Sequence, residues 1–242
     1  MEIKATRINK YLSEIGYCSR READKLIAAG RIKINGKVVA MGQKLLPGDE
    51  LSVNGKKIDA PQQELVYLAF NKPRGIVCTT DTRVEKDNII DYINYPTRIF
   101  PIGRLDKASE GLIFLTNDGD IVNKILRARN QHEKEYIVTV HKPVTPAFLK
   151  KMAKGVPILG TVTRKCTVEQ THKNQFRIIL TQGLNRQIRR MCEYLGYRVT
   201  QLKRVRIMNV ELDLKVGAYR PFTAKELAVL KKRIAHSKKT AH

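Results

Sequence analysis

A carboxylate in a position to do chemistry stands at Asp106. It lies in a polar loop bounded by Gly103 and Gly111, between the apolar Ile99-Phe-Pro-Ile and the apolar Leu112-Ile-Phe-Leu. A loop tied to the core at both ends can present an acid as a general base or nucleophile. Glu110, Asp118 and Asp120 compete for that role, although Asp118 and Asp120 read better as the cap and first-turn acids of a following helix. Spacing alone does not choose among them, and a lone loop aspartate is more often a turn residue. A second cluster lies at residues 185 to 195. Ile188, Met191, Cys192 and Leu195 follow the i, i+3, i+4, i+7 pattern of a buried helix face, which sets Arg186, Arg189 and Arg190 on the opposite side. Three guanidinium groups near a helix N-terminus suit a phosphate or a carboxylate. Tyr136 opens the strand pattern Tyr-Ile-Val-Thr-Val and could stack on a base, or could be an ordinary core or edge tyrosine.

Elements able to hold these groups are marked along the chain. The first sixty residues read as two helices followed by hairpins. Ile8, Tyr11, Leu12 and Ile15 make one apolar helix face ending at Gly16. Ser19 to Glu22 spell a capping box for a second helix closed by Gly30, and Asn35-Gly36 and Asn54-Gly55 suit tight hairpin turns. The aperiodic Ala60-Pro-Gln-Gln-Glu64 reads as a linker. Beyond it, strands are expected over residues 65–70, 112–116, 135–140, 161–169, 176–181 and 198–209. Helix starts are expected at Asn117-Asp118, at Thr145-Pro146 with a stop at Gly155, and at the Thr223 to Glu226 capping box. The fold class is α+β: a small N-terminal domain over 1–60, a linker over 61–65, a larger mixed domain with a mainly antiparallel sheet over 66–235, and a basic tail over 236–242.

Composition narrows the partner. The 242 residues carry 46 Lys and Arg against 23 Asp and Glu, a formal charge of +23. These cations are spread among apolar periodic segments, so a large polyanion is the expected partner, and nucleic acid fits best because many phosphate contacts release counterions. In the N-terminal unit Arg7, Lys10, Arg20, Arg21, Lys25, Arg31, Lys33 and Lys37 fall on polar positions that could form one phosphate-binding surface. No run approaches the roughly 18 apolar residues of a membrane span, and the start of the chain has no signal-peptide core, so a soluble cytoplasmic protein with no membrane partner is expected. Cys18, Cys78, Cys166 and Cys192 have no CxxC spacing and no histidine at a zinc-ligand spacing. Reduced thiols and no metal are expected.

Two sets of motifs carry a resemblance. Residues 6 to 56, through Arg-Ile-Asn-Lys-Tyr-Leu, Cys-Ser-Arg-Arg-Glu-Ala-Asp, Gly-Arg-Ile, Ile-Asn-Gly and Pro-Gly-Asp, resemble the alpha-L RNA-binding motif of a small-subunit ribosomal protein. Residues 66 to about 232 resemble the RsuA branch of the pseudouridine synthases, through Asn71-Lys-Pro-Arg-Gly, Pro101-Ile-Gly-Arg-Leu-Asp106, Leu115-Thr-Asn-Asp-Gly, Lys134-Glu-Tyr136 and Gly183-Leu-Asn-Arg-Gln-Ile-Arg189-Arg-Met. The last motif is most similar to the branch members that modify large-subunit ribosomal RNA. The resemblance implies a cofactor-free, monomeric enzyme that converts a uridine of 23S ribosomal RNA, or of 16S or transfer RNA, to pseudouridine. It implies that Asp106 is the catalytic aspartate, that Tyr136 contacts the flipped base, and that Arg189 pairs with Asp106. Lys72, Arg104, Lys134, Asn185, Arg186 and Arg190 are then expected to bind substrate. Two other functions fit parts of the sequence: a non-catalytic RNA-binding assembly protein, and a hydrolytic glycosidase pairing Asp106 with Glu110. The close spacing of those two acids speaks against the second.

Overall fold

A computed structural model describes residues 5–59, 64–81, 84–127 and 131–237. Its contacts divide the chain between Leu65 and Val66 into two compact units. In the first unit β1 (Thr6–Arg7) leads into α1 (Ile8–Glu14) and α2 (Arg20–Ala28). There follow β2 (Ile32–Ile34), β3 (Lys37–Val38), β4 (Lys44–Leu45), β5 (Leu51–Val53) and β6 (Lys56–Lys57). Ile8 and Leu12 of α1 meet Leu26 and Ile27 of α2 over Ile32, Ile34, Leu51 and Val53, so the apolar helix stripe and the alternating strand residues close one small core. Asn35 and Gly36, and Asn54 and Gly55, all take positive φ as such hairpin turns require. Ser19 accepts from the Glu22 amide, which is the serine half of the expected capping box.

The second unit begins with β7 (Tyr67–Lys72), α3 (Ile89–Ile93), β8 (Phe100–Ile102), β9 (Glu110–Thr116) and α4 (Gly119–Leu126). It continues through β10 (Lys134–Val140), α5 (Pro146–Lys154), β11 (Pro157–Ile158), β12 (Thr161–Val162), β13 (Thr167–His172) and β14 (Gln175–Leu180). It closes with α6 (Gln187–Tyr194), β15 (Val199–Ile207), β16 (Val210–Glu211), β17 (Tyr219–Pro221) and α7 (Ala224–Ile234). Nine of the strands form one sheet in the order β13-β14-β10-β15-β9-β7-β17, with β16 beside β15 and β8 beside β9, and β11 and β12 form a separate two-stranded hairpin. Both faces are covered. On one, α3, α5 and α6 pack through Ile89, Phe148, Met152, Ile188 and Met191; on the other, α4 and α7 pack through Ile121, Ile125, Leu230 and Ile234. That double cover explains why β7 and most of β9 are buried at every position rather than at alternate ones.

Helix starts follow the sequence closely. Asp118, Thr145 and Thr223 each cap a helix, Pro146 occupies its first turn, and Thr223 and Glu226 complete a reciprocal capping box. The expected strand over 161–169 is instead two strands, β12 and β13. Gly155 explains the break: a Cβ there would lie 2.3 Å from the Thr163 carbonyl oxygen, so the chain turns back on itself at this point, and Thr163 Oγ1 accepts from the Val156 amide. The expected tail from His236 is described only to Ser237, and most of the expected linker also lies outside the described residues. Among the described residues, no helix is long and apolar enough to cross a membrane.

One pairing departs from the antiparallel rule. β9 and β15 run parallel, with Glu110 beside Lys203 and Gly111 beside Arg204. Gly111 has φ +112°, and a Cβ added to it would fall 2.3 Å from the Arg204 carbonyl oxygen. Only glycine allows the two backbones to approach so closely. Gly111→Ala is expected to destabilise the second unit by at least about 2 kcal/mol through overpacking and left-handed strain, measured as a lower midpoint of denaturant unfolding.

Candidate active site

The parallel pair brings two chain segments to the same end of the sheet, at its centre. Residues 103–109 lead into β9, and α6 leads, through a short connection, into β15. The loop is pinned at several points. Leu105 is buried and its amide donates to Cys78 Sγ; the Ser109 amide donates to the Asp106 carbonyl; the Lys107 carbonyl accepts from the Gly75 amide. Gly103, at φ +81°, packs so closely on Leu126 that a Cβ would meet its Cδ2 at 2.9 Å. These constraints leave the Asp106 side chain about one third exposed, facing an open cleft of about 930 Å³.

From α6, Arg189 reaches under the same loop. Its Nη2 donates to the Ala108 carbonyl at 3.1 Å and to Ser109 Oγ at 3.2 Å, while Nη1 donates to the Val199 carbonyl at 3.4 Å. Its Nε stands 3.8 Å from Asp106 Oδ2, and Arg186 Nη1 stands 3.9 Å from the same oxygen. Both are ion pairs too long to be hydrogen bonds. The carboxylate is thus oriented by charge while its oxygens stay open to the cleft. The sequence pattern placed Arg189 on a face opposite the buried one, and that is corrected by the structure: Arg189 is only 9% exposed. Position 189 lies about 100° from Ile188 around the helix, on its flank, and the Asp106 loop covers that flank. Burial and the neighbouring Arg186 lower its guanidinium's proton affinity, and the Asp106 charge opposes them. Arg186 itself holds a left-handed φ of 49° at the N-cap of α6, an uncommon conformation for a side chain of its size.

The opposite wall comes from β10. Lys134 and Tyr136 alternate with Glu135, so both point inward and are buried, while Glu135 bonds outward to Arg177 and Arg206 at 2.6 and 2.7 Å. The Lys134 ammonium donates to the His132 carbonyl, and its pKa is pushed down to about 8 by burial and by the charge of Arg204. Arg204 was not among the residues singled out from sequence. It is 3% exposed, donates through Nε to the Leu112 carbonyl at 2.6 Å, and lies 5.9 Å from the Tyr136 ring centroid. Its signal was present in Leu202-Lys-Arg204, where period-two alternation puts an arginine on the same face as a buried leucine.

Of the expected site residues, Asp106, Tyr136, Arg189, Arg104, Lys134, Asn185 and Arg186 line the cleft. Two do not. Lys72 is fully buried, with its ammonium donating to the carbonyls of Pro73 and Ile76, so it ties the turn after β7 and does not line the cleft. Arg190 folds back to the Asn185 carbonyl and Oδ1, closing the turn before α6. Among the described residues there is no group of three or more side chains suited to a metal ion. Cys78 and Cys192 are buried, and burial raises both thiols' pKa values, that of Cys192 to about 12.

A buried strand tyrosine, an aspartate on a pinned loop and an arginine reaching that loop from a helix thus meet at one cleft. Residues 66–194 match the RNA pseudouridylate synthase family and residues 6–51 match the S4 domain. The chain belongs to the RNA pseudouridylate synthase family and is an isomerase that converts uridine to pseudouridine. It is 58% identical to the dual-specificity RNA pseudouridine synthase RluF of Salmonella typhi, over 98% of this chain and 82% of that protein. It is 34% identical to the ribosomal large subunit pseudouridine synthase B of Bacillus subtilis, over 96% and 98% of the two chains. A crystal structure of a pseudouridylate synthase superposes with a TM-score of 0.68 at 31% identity, covering 93% of this chain and all of that one.

Arg189→Ala removes both the loop anchor and one of the two cations beside Asp106. It is expected to reduce single-turnover pseudouridine formation by about 10²-fold or more while RNA affinity stays within a few-fold, as measured by filter binding alongside the rate.

Proposed function

We propose that this enzyme isomerises a uridine of large-subunit 23S ribosomal RNA, with Asp106 as the reacting carboxylate. The observation that carries the assignment is the convergence of Arg186 and Arg189 on a single Asp106 oxygen inside a cleft walled by Tyr136. A uridine in a duplex cannot reach a recessed carboxylate, so the RNA must extrude it into the cleft. Tyr136 then contacts the base, and Arg104 and Arg186, both exposed, bind backbone phosphates at the rim. Asp106 acts either by attack at C1′ or by removal of the C2′ proton, and a cation-paired carboxylate open on one side serves both routes. The large-subunit assignment is supported by the name of the Bacillus subtilis relative. The dual-specificity designation of the Salmonella typhi relative leaves room for a second substrate, for which transfer RNA is the candidate. Asp106→Asn is expected to abolish pseudouridine formation in ribosomal RNA with affinity retained within a few-fold. Appreciable turnover by this variant overturns the role.

The S4 unit serves as the RNA anchor in this proposal. Arg7, Arg20, Arg21, Lys25, Arg31, Lys33 and Lys37 are exposed or partly so, whereas Lys10 is half-buried and pairs with Glu14 at 3.1 Å. Arg31 is also held by Asn54, at 2.6 Å. Arg20 and Lys25 lie on the solvent side of α2, with Ala23, Leu26 and Ile27 buried on the other. Replacing both by Glu is expected to weaken ribosomal RNA binding and to lower the slope of log K against log salt by roughly one for each phosphate no longer neutralised. The measurement is a salt titration of binding, and an unchanged slope removes these residues from the interface.

A further inference from the structure

Lys134 and Arg204 form a cationic pair at the floor of the cleft that neither the aspartate nor the phosphate contacts account for. Arg204 stands opposite Tyr136 in the β10–β15 register, and Lys134 lies two residues before Tyr136 on the same side of β10. All three line the cleft and none is more than 9% exposed. The walls here include Phe114, Ile125, Leu202 and Ile207, so water does little to screen the charges. No carboxylate is paired with Lys134 or Arg204 among the described residues; their hydrogen bonds go to the carbonyls of His132 and Leu112. The Arg204 Nη2 is buried with no hydrogen-bond partner. Two desolvated cations with an unsatisfied donor are costly in the resting protein, as the lowered pKa of Lys134 reflects. Such a cost is repaid if negative charge develops beside them during the reaction.

We propose that Lys134 and Arg204 bind the uracil anion released when the N1–C1′ bond breaks. The proposal rests on the reading of the Asp106 cleft as the uridine site. The electron pair of the broken bond leaves with N1, and conjugation spreads the charge over N1, O2, C5 and O4. At the sugar, C1′ gains a bond to an Asp106 oxygen in one route. In the other, Asp106 takes the C2′ proton and the C–H pair becomes a C1′–C2′ double bond. The anion turns, C5 gives its pair to C1′, and Asp106 leaves or returns its proton to C2′. Loss of the C5 proton and protonation of N1 complete the isomerisation, with nothing added or consumed. Cations buried beneath Tyr136 favour the base over a phosphate, because a planar base can reach the floor while the RNA backbone stays at the rim with Arg104 and Arg186. Charge on the departing base, absent from the bound uridine, is what such a pair stabilises selectively.

The test compares uridine with 5-fluorouridine at the target position in otherwise identical RNA, using full-length protein under single-turnover conditions. Loss of the N-linked nucleoside is followed by nuclease digestion and chromatography. Fluorine makes the departing base a weaker base, so its anion needs less help. Lys134→Met should slow the uridine reaction by about 10²-fold with RNA affinity unchanged. Its penalty on 5-fluorouridine should be at least about tenfold smaller, and Lys134→Arg should restore much of the rate. Arg204→Lys should show the same dependence on the leaving group. Equal penalties on both nucleosides, or a loss confined to RNA affinity, which would indicate phosphate binding, overturn the proposal. Asp106→Asn serves as the control for the underlying assignment: activity in that variant discredits the site itself, whereas its inactivity together with equal Lys134→Met penalties discredits only the anion role.

Discussion

The parallel contact between β9 and β15 at Gly111 and Arg204 is the constraint on which the active site depends. Among the described residues, every other strand pairing in the sheet is antiparallel. Because these two strands run the same way, the segments entering them arrive at one end of the sheet: the Asp106 loop into β9, and α6 with Arg189 into β15. Arg189 then has only to reach across to the Ala108 carbonyl and Ser109 to fasten the loop. A side chain at position 111 would collide with the Arg204 backbone, so this glycine is what lets the two strands, and with them the Asp106 loop and α6, lie side by side.

The same contact organises charge. Arg204 donates to the Leu112 carbonyl across the parallel seam and faces Tyr136 across the neighbouring antiparallel one. Gly111, Arg204 and Tyr136 therefore sit at one level of three adjacent strands. Cations are distributed by depth: exposed Arg104 and Arg186 at the rim, Arg189 beside the carboxylate, and Lys134 with Arg204 at the floor. Two arginines converging on one aspartate orient its carboxylate, while the surplus of positive charge inside the cleft suits a reaction in which charge appears and disappears on a buried base.

Much of this architecture was legible in the amino-acid sequence because it is encoded locally. Caps at Asp118, Thr145 and Thr223, the Asn-Gly turns, and the alternation of β10 and β14 each depend on residues within one turn or one strand. The motif around Asp106 and its counterpart around Arg189 were legible as a resemblance, and the physical reading alone left Asp106 one acid among several. Three elements were not read from the sequence: the short helix α3, although Asn88 caps it locally; the break between β12 and β13, set where Gly155 meets Thr163; and the edge strand β17, whose partner β7 is distant in sequence. Lys72 and Arg190 show the same limit in the site: a basic residue within a motif can spend its donors on neighbouring carbonyls, and its sequence position does not reveal this.

By itself the sequence determined the charge that suits a polyanionic partner, the caps of α2, α4, α5 and α7 and the Asn-Gly turns, and the candidate status of Asp106, because each follows from composition or from contacts a few residues apart. Tertiary structure alone decided that Arg189 is buried under the Asp106 loop, that Arg204 joins Lys134 and Tyr136 along the cleft, and that Lys72 is buried off the cleft lining. Those outcomes depend on which strands lie side by side and in which direction. Strand order is fixed by packing both faces of the sheet at once, a global condition that no window of sequence contains.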